Sequence, residues 1–267
     1  MRGGAPVGLA VAALIALLLT ACSGNDPPQR STRPTEEASE TPADTASPSD
    51  EALEEMAEVV DPATREDAQD FRLGSDEIEE FLTVVLEDND EYWTETFETA
   101  GLKEPFVLYY WVPPGERVRS RCRGQMANDE SAFYCPVDDT IYMGSELAAQ
   151  LYEESGDFAL AYIVAHEMAH SIQAELGVLD YYANVPTVTA TELQADCMAG
   201  TWGYSTFFEG YLEPGDVEEA QTLAYQIGDF DTFHPEHHGT PNQRRKAWNL
   251  GYESGAPADC AKYAPVP

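Results

Sequence analysis

Between Ser23 and Asp70 the chain has no aromatic residue and is dominated by Pro, Ser, Thr, Glu and Asp. Such a stretch cannot bury enough apolar surface to offset the entropy of ordering it, so disorder is expected there. As a flexible coil of about 45 residues it would span roughly 35–40 Å on average. Local helix around Leu53 to Val60 is compatible with that. Any packed core must therefore come from the residues after Asp70. The 4 Trp, 14 Tyr and 10 Phe in 267 residues that are 43% hydrophobic exclude a wholly disordered chain. No segment reaches the ~20 consecutive apolar residues that a spanning helix needs. With 14 Lys+Arg against 49 Asp+Glu, the formal charge is −35. Such a surface repels phosphate backbones, which excludes nucleic acid as a partner.

Ahead of the acidic stretch, Arg2 precedes an apolar run from Val7 to Leu19. A basic residue, a short apolar run and small residues after it describe a secretory leader. The run ends Leu19-Thr20-Ala21-Cys22-Ser23-Gly24, which resembles a bacterial lipobox and implies lipidation of Cys22. The expected organisation is a lipoprotein signal peptide over 1–21, an acidic tether over 22–70 and a folded domain over 71–267. The domain would be held by its lipid at the extracytoplasmic face of the bacterial cell membrane. In that compartment disulfides persist. Setting Cys22 aside leaves Cys122, Cys135, Cys197 and Cys260, an even set with three possible pairings. No close C-x₂₋₄-C spacing supports a four-cysteine zinc site.

The domain reads as α+β, with a small antiparallel sheet on a mainly helical body. Ser75 is placed to cap a helix with Ile78, Phe81, Leu82, Val85 and Leu86 at 3.6-residue spacing, continuing through Phe97 to a stop at Gly101. Phe106 to Val112 reads as a strand, and Ser131–Cys135 with Thr140–Met143 as a strand pair. Thr140–Met143 could offer an edge to an extended peptide. Helices are expected from Asp157 to before Gly177, over about Ala190 to Thr206, and from Asp216, where Glu219 closes a capping-box pattern. A last helix starts at Thr240, with Pro241 at N1 and Gln243 at N3.

The chemistry concentrates in His166-Glu167-Met168-Ala169-His170. Two imidazoles at i and i+4 share a helix face and can both reach one Zn²⁺. Glu167, rotated by about 100° from His166, can approach a water on that metal without ligating it. A catalytic zinc usually takes three protein ligands, and Ser171-Ile172-Gln173 supplies no further histidine. Glu192, in Thr191-Glu192-Leu193-Gln194-Ala195-Asp196-Cys197, is the candidate third ligand. Asp196, one turn on, is the candidate acceptor for a ligand imidazole's free N–H. His238, directly before Gly239 and the capped helix, is placed to stabilise an oxyanion. Tyr181, Tyr182 and Tyr204 compete for that role. His234 and His237 are expected to face solvent, and Arg244 either orients a site carboxylate or stands exposed.

These words, together with Phe133-Tyr134-Cys135-Pro136 and His238-Gly239-Thr240-Pro241-Asn242-Gln243-Arg244, resemble the bacterial neutral zinc metallopeptidase family of gluzincin type over roughly 104–260. The resemblance implies a zincin-like fold and hydrolysis of peptide or protein substrates. It also implies one Zn²⁺ per chain on His166, His170 and Glu192, base Glu167 and oxyanion group His238. Disulfides Cys122–Cys135 and Cys197–Cys260 are implied with it. The chain departs from the family at Ala169, where Gly is common, at Ser171, where His is common, and at Ala247, where an aromatic residue is usual. A competing expectation is a non-catalytic zinc-binding envelope lipoprotein that binds a partner protein. A purely structural anchor without metal is a third. Oligomeric state and subsite preference are not encoded in any of these patterns.

Overall fold

The computed structural model of the chain describes residues 75–122 and 125–267. The expected leader, Cys22, the tether and the local helix near Leu53 lie outside these residues. Helix α1 (Ser75–Thr99) is followed by strands β1 (Leu108–Val112), β2 (Arg117–Arg119), β3 (Met126–Asn128), β4 (Ala132–Cys135) and β5 (Thr140–Gly144). Then come helices α2 (Ser145–Ser155), α3 (Asp157–Glu175), α4 (Val178–Tyr182), α5 (Thr189–Glu209), α6 (Asp216–Gln226) and α7 (Pro241–Ser254), and a 3₁₀ turn, Pro257–Lys262. This is the expected α+β composition, mainly helical.

The three-stranded sheet has the order β1-β5-β4. β4 and β5 pair antiparallel, as expected, but β1 runs parallel to β5 with Leu108 opposite Thr140 and Val112 opposite Gly144. The sheet is thus mixed, not antiparallel. A parallel pair needs a crossover of a dozen or more residues, and residues 113–139, which carry the antiparallel β2–β3 ribbon and β4, supply it. β5 is therefore flanked on both sides, so Thr140–Met143 offers no free edge. The edge on the antiparallel side of the sheet belongs to β4.

Alternation along the strands sends Tyr109, Trp111, Ile141 and Met143 to the helices. The opposite face carries Val112, Tyr142 and Phe133 under Ala127 and Val118 of the ribbon. The Cys122–Cys135 disulfide joins the segment after β2 to β4. Each fully buried side chain such as Ile141 or Met143 contributes about 1.5–3 kcal/mol relative to exposure.

Helix α1 buries Ile78, Leu82, Val85, Trp93 and Phe97 on one stripe. Helix α2 carries no side-chain cap, which removes the usual local signal for a helix start. Its first N–H groups, on Glu146 and Leu147, instead donate to the Asp129 carbonyl at 2.8 and 3.0 Å. Helix α3 is buried almost all round, from Phe158 through Ala169, as befits a helix at the centre of a domain. Glu219 does not cap its own helix. Gly215 is the N-cap of α6, and Glu219 accepts the Phe158 N–H at the start of α3 at 3.2 Å. On α7 the capping box forms as expected between Thr240 and Gln243. Helices α5 and α7 lie so close that a Cβ at Gly251 would collide with the Cys197 carbonyl, and one at Gly200 with that of Trp248. The Cys197–Cys260 disulfide ties the C-terminal turn to α5.

Candidate metal centre and active site

Helix α3 presents His166 and His170 on one face, their rings 4.7 Å apart. Helix α5 brings Glu192 between them. Glu192 Oε2 lies 3.2 Å from His166 Nε2, and its Oε1 lies 3.3 Å from His170 Nε2. Charge-assisted N–H···O bonds shorten to about 2.7–2.9 Å, and these separations are longer. They match the edge of about 3.3–3.4 Å expected between donors ~2.0–2.1 Å from a shared tetrahedral centre. One donor atom from each residue falls within 4.8 Å of the others. Two neutral nitrogens and a carboxylate suit Zn²⁺ in hardness and number, leaving a fourth position open. The side chains at hand therefore fit the metal.

Behind His166 stands Asp196, fully buried, with Oδ1 2.9 Å from Nδ1 of the ring. The same carboxylate accepts Arg244 Nη2 at 2.7 Å and Nε at 2.8 Å. It also accepts the Tyr162 hydroxyl at 2.6 Å. Four donors thus satisfy a carboxylate that burial alone would disfavour as an ion. Burial pushes the Asp196 carboxyl up, but the Arg244 guanidinium outweighs it and holds the group at about 2. Burial lowers His166, yet the Asp196 and Glu192 carboxylates beside its two ring nitrogens outweigh that and raise it to about 9. His170 is also raised, its burial outweighed by the Glu192 charge. Glu192 sits well below the carboxylate range, because the His238 and His170 charges exceed the burial penalty. A carboxylate that two imidazoles hold ionised is poised to meet a cation.

Arg244 is 2% exposed, so of its two expected placements the buried one holds. The Thr240 cap starts α7 in the register that brings Arg244 onto Asp196, and Nη2 lies 3.9 Å from Glu192 Oε2. Glu167 follows His166 and faces the sheet, where its Oε2 accepts the Tyr134 N–H of β4 at 2.8 Å. His238 is half-buried. Burial moves its imidazole below the ordinary value even though the Glu192 carboxylate pulls the other way. Its backbone N–H donates to Asp229 Oδ2 at 3.2 Å. His234 is exposed, as expected, but His237 is not: it is buried, with Nδ1 2.6 Å from Asp229 Oδ1. The reason is the loop path, since Thr189 Oγ1 at the start of α5 donates to the His237 carbonyl at 2.6 Å and pulls that residue inward. Tyr181 is exposed and Tyr182 lies beside it. Tyr204 packs on Phe208, ~18 Å along α5 from Glu192 by helical rise.

Sequence reasoning missed Tyr162 and Gln173, which stand one turn before His166 and one turn after His170. Gln173 Oε1 lies 2.8 Å from His170 Nδ1. Helical spacing could have flagged both. Gln194 lies inside the recognised word around Glu192, but its partner is far off in the tail. The Tyr134 amide has no sequence signal.

A family profile described as "Putative neutral zinc metallopeptidase" matches residues 3–263. Among curated proteins, the Escherichia coli K12 protein YpfJ, described as uncharacterized, is 34% identical over 212 residues, covering 69% of this chain and 71% of its own. The uncharacterized proteins Rv2575 of Mycobacterium tuberculosis H37Rv and Mb2605 of Mycobacterium bovis are each 36% identical over 169 residues, covering 53% of this chain and 58% of theirs. No solved structure matches the chain. The profile runs through every helix and strand from α1 to α7, so the assignment holds for the folded domain as a whole: the chain belongs to the neutral zinc metallopeptidase family.

Proposed function

We propose that the chain is a zinc-dependent endopeptidase that works at the extracytoplasmic face of a bacterial membrane, anchored by a lipid on Cys22. The observation that carries the catalytic part is the convergence of His166 Nε2, His170 Nε2 and the Glu192 carboxylate, with Glu167 on the adjoining residue. The anchor rests on the lipobox-like residues Leu19 to Cys22 and the acidic stretch behind them.

In this reading His166, His170 and Glu192 hold one Zn²⁺, and Asp196 orients His166. Zinc, when bound, supplies a Lewis acid that polarises the scissile carbonyl and acidifies a water. Glu167 takes the proton from the attacking water and passes it to the leaving amine. Its second oxygen stays on the Tyr134 amide, which holds the carboxylate beside β4. An extended peptide adding to β4 would therefore lie next to Glu167. His238 donates to the developing oxyanion.

The test is a pair of variants of the full chain. Glu167→Gln keeps stoichiometric zinc and loses at least 10²-fold in peptide cleavage, whereas Glu192→Ala loses both metal and activity. Elemental analysis and a library digest with and without chelator read the two effects. Cleavage by Glu167→Gln at the wild-type rate would remove the base assignment. Zinc retention without any cleavage by wild type would favour a binding protein.

A further inference from the structure

A line of hydrogen bonds connects the C-terminal tail to His170, and the chemistry of its members leaves each amide a single orientation. At the far end is Ala264, fully buried, four residues after the Cys260 that is bonded to α5. Its carbonyl accepts Gln194 Nε2. A carbonyl can only accept, so the amino end of Gln194 must face the tail and its Oε1 must face away. There Oε1 accepts Gln173 Nε2 at 3.0 Å, and the Thr191 carbonyl accepts the same nitrogen at 2.7 Å. Both amino hydrogens of Gln173 are then used, which directs Gln173 Oε1 to His170 Nδ1. An oxygen there requires the hydrogen on Nδ1. The lone pair is left on Nε2, the nitrogen that faces Glu192 Oε1. A glutamine amide left to itself has two orientations of similar shape. Here two backbone carbonyls, on Thr191 and Ala264, decide between them.

We propose that the C-terminal tail is a remote positioning element of the metal centre. Ala264, through Gln194, joins the Thr191 carbonyl in fixing the Gln173 amide, and so in setting which nitrogen of His170 is free to bind. The proposal rests on the reading of His166, His170 and Glu192 as a metal site. Gln173 and Gln194 are positioning residues, since they act through His170. Losing the tail turns down metal affinity without removing a ligand.

Zn²⁺ affinity is measured on the full chain by competition with a chromogenic chelator, for wild type, Gln173→Leu, Gln194→Met, a stop after Lys262 and the double variant Gln173→Leu/Gln194→Met. Gln173→Leu is expected to bind about 10–100-fold more weakly. Gln194→Met and the shortened chain are expected to lose roughly three- to tenfold, a fraction of that loss because the Gln173 oxygen remains. The double variant binds no more weakly than Gln173→Leu, because Gln194 acts only through Gln173. General loosening of the fold would add instead. Nitrogen-15 histidine spectra of the zinc-loaded chain report Nε2 binding in wild type and a second His170 population in Gln194→Met. Melting of the metal-free variants reads folding separately. Wild-type affinity in both Gln194→Met and the shortened chain, or an additive loss in the double variant, overturns the proposal. A different result, no stoichiometric zinc on wild type or no loss in His170→Ala, overturns the metal-site reading itself.

Discussion

His166 and His170 stand one turn apart on α3, yet what backs each ring differs in kind. Behind His166 is a charged assembly, Asp196 clasped by Arg244 and Tyr162. Behind His170 is a neutral chain of two amides ending on backbone carbonyls. A carboxylate has two equivalent oxygens and cannot face the wrong way, but it must be neutralised inside the protein. An amide brings no charge to bury, but its orientation has to be specified by further partners. The domain therefore uses a counter-ion on one side and a fixed tail on the other to present the two Nε2 atoms alike.

The sharpest way to break this comparison is to remove the counter-ion. Arg244→Leu strips the buried Asp196 carboxylate of its guanidinium, leaving it the His166 ring and the Tyr162 hydroxyl, and urea unfolding of the metal-free chain should show a loss of about 3–5 kcal/mol. Gln173→Leu, on the neutral side, should cost only about 1–3 kcal/mol by the same measurement, since no charge is stranded. Equal losses would mean that the charged and neutral supports do not differ in kind.

A smaller effect sharpens the comparison through pH. In metal-free protein His166 is raised to about 9 from 6.5, so between those values the native state binds more protons than the unfolded one. Stability is then fully supported below pH 6.5 and falls as pH rises toward 9. Asp196, lowered to about 2 from 3.8, has the opposite sign: its contribution is present above pH 3.8 and falls as pH drops toward 2. Urea midpoints across pH in EDTA should show both limbs. Zinc should remove the alkaline limb, because the metal takes the place of the His166 proton. A flat profile from pH 6.5 to 9 without metal would contradict the charged arrangement behind His166.

The smallest expected effect lies at the other end of α3. Burial, with Asp157 and Glu213 nearby, raises Asp216 to about 6. A raised carboxyl costs stability once ionised, so the penalty appears as pH rises from 3.8 through 6. Asp216→Asn keeps an acceptor for the Glu213 N–H and removes the charge. Calorimetry should show a gain of about 2–4 °C at pH 8 that vanishes below pH 4. Activity should stay as it was, since this end of α3 is remote from the donors.

How far the site could be read in advance depends on the range of each interaction. The shared face of His166 and His170, and the Thr240–Gln243 capping box, depend on spacings within one helix. Glu192 and Asp196 were recognisable because they also sit one turn apart on a single helix, in a word resembling a known family. The parallel setting of β1 against β5 was missed because strand alternation carries no sign of direction. Helix α2 was missed because its start is capped by the distant Asp129 carbonyl. Buried His237 was missed because a loop, without periodicity, decides its burial.

Sequence alone determined which residues could offer nitrogen and oxygen to a cation, since helical geometry repeats every 3.6 residues whatever surrounds it. The spacing of Cys122, Cys135, Cys197 and Cys260 left three pairings open, and the family resemblance implied the two that form. Only the tertiary structure decided that Glu192 falls between the two rings, that Arg244 turns inward onto Asp196, and that Ala264 reaches Gln194. Those meetings join residues tens of positions apart, and they exist because α5, α7 and the tail pack backbone to backbone at Gly200, Gly251 and the Cys197–Cys260 bond. Packing of that kind is a property of the folded whole, which no local pattern encodes.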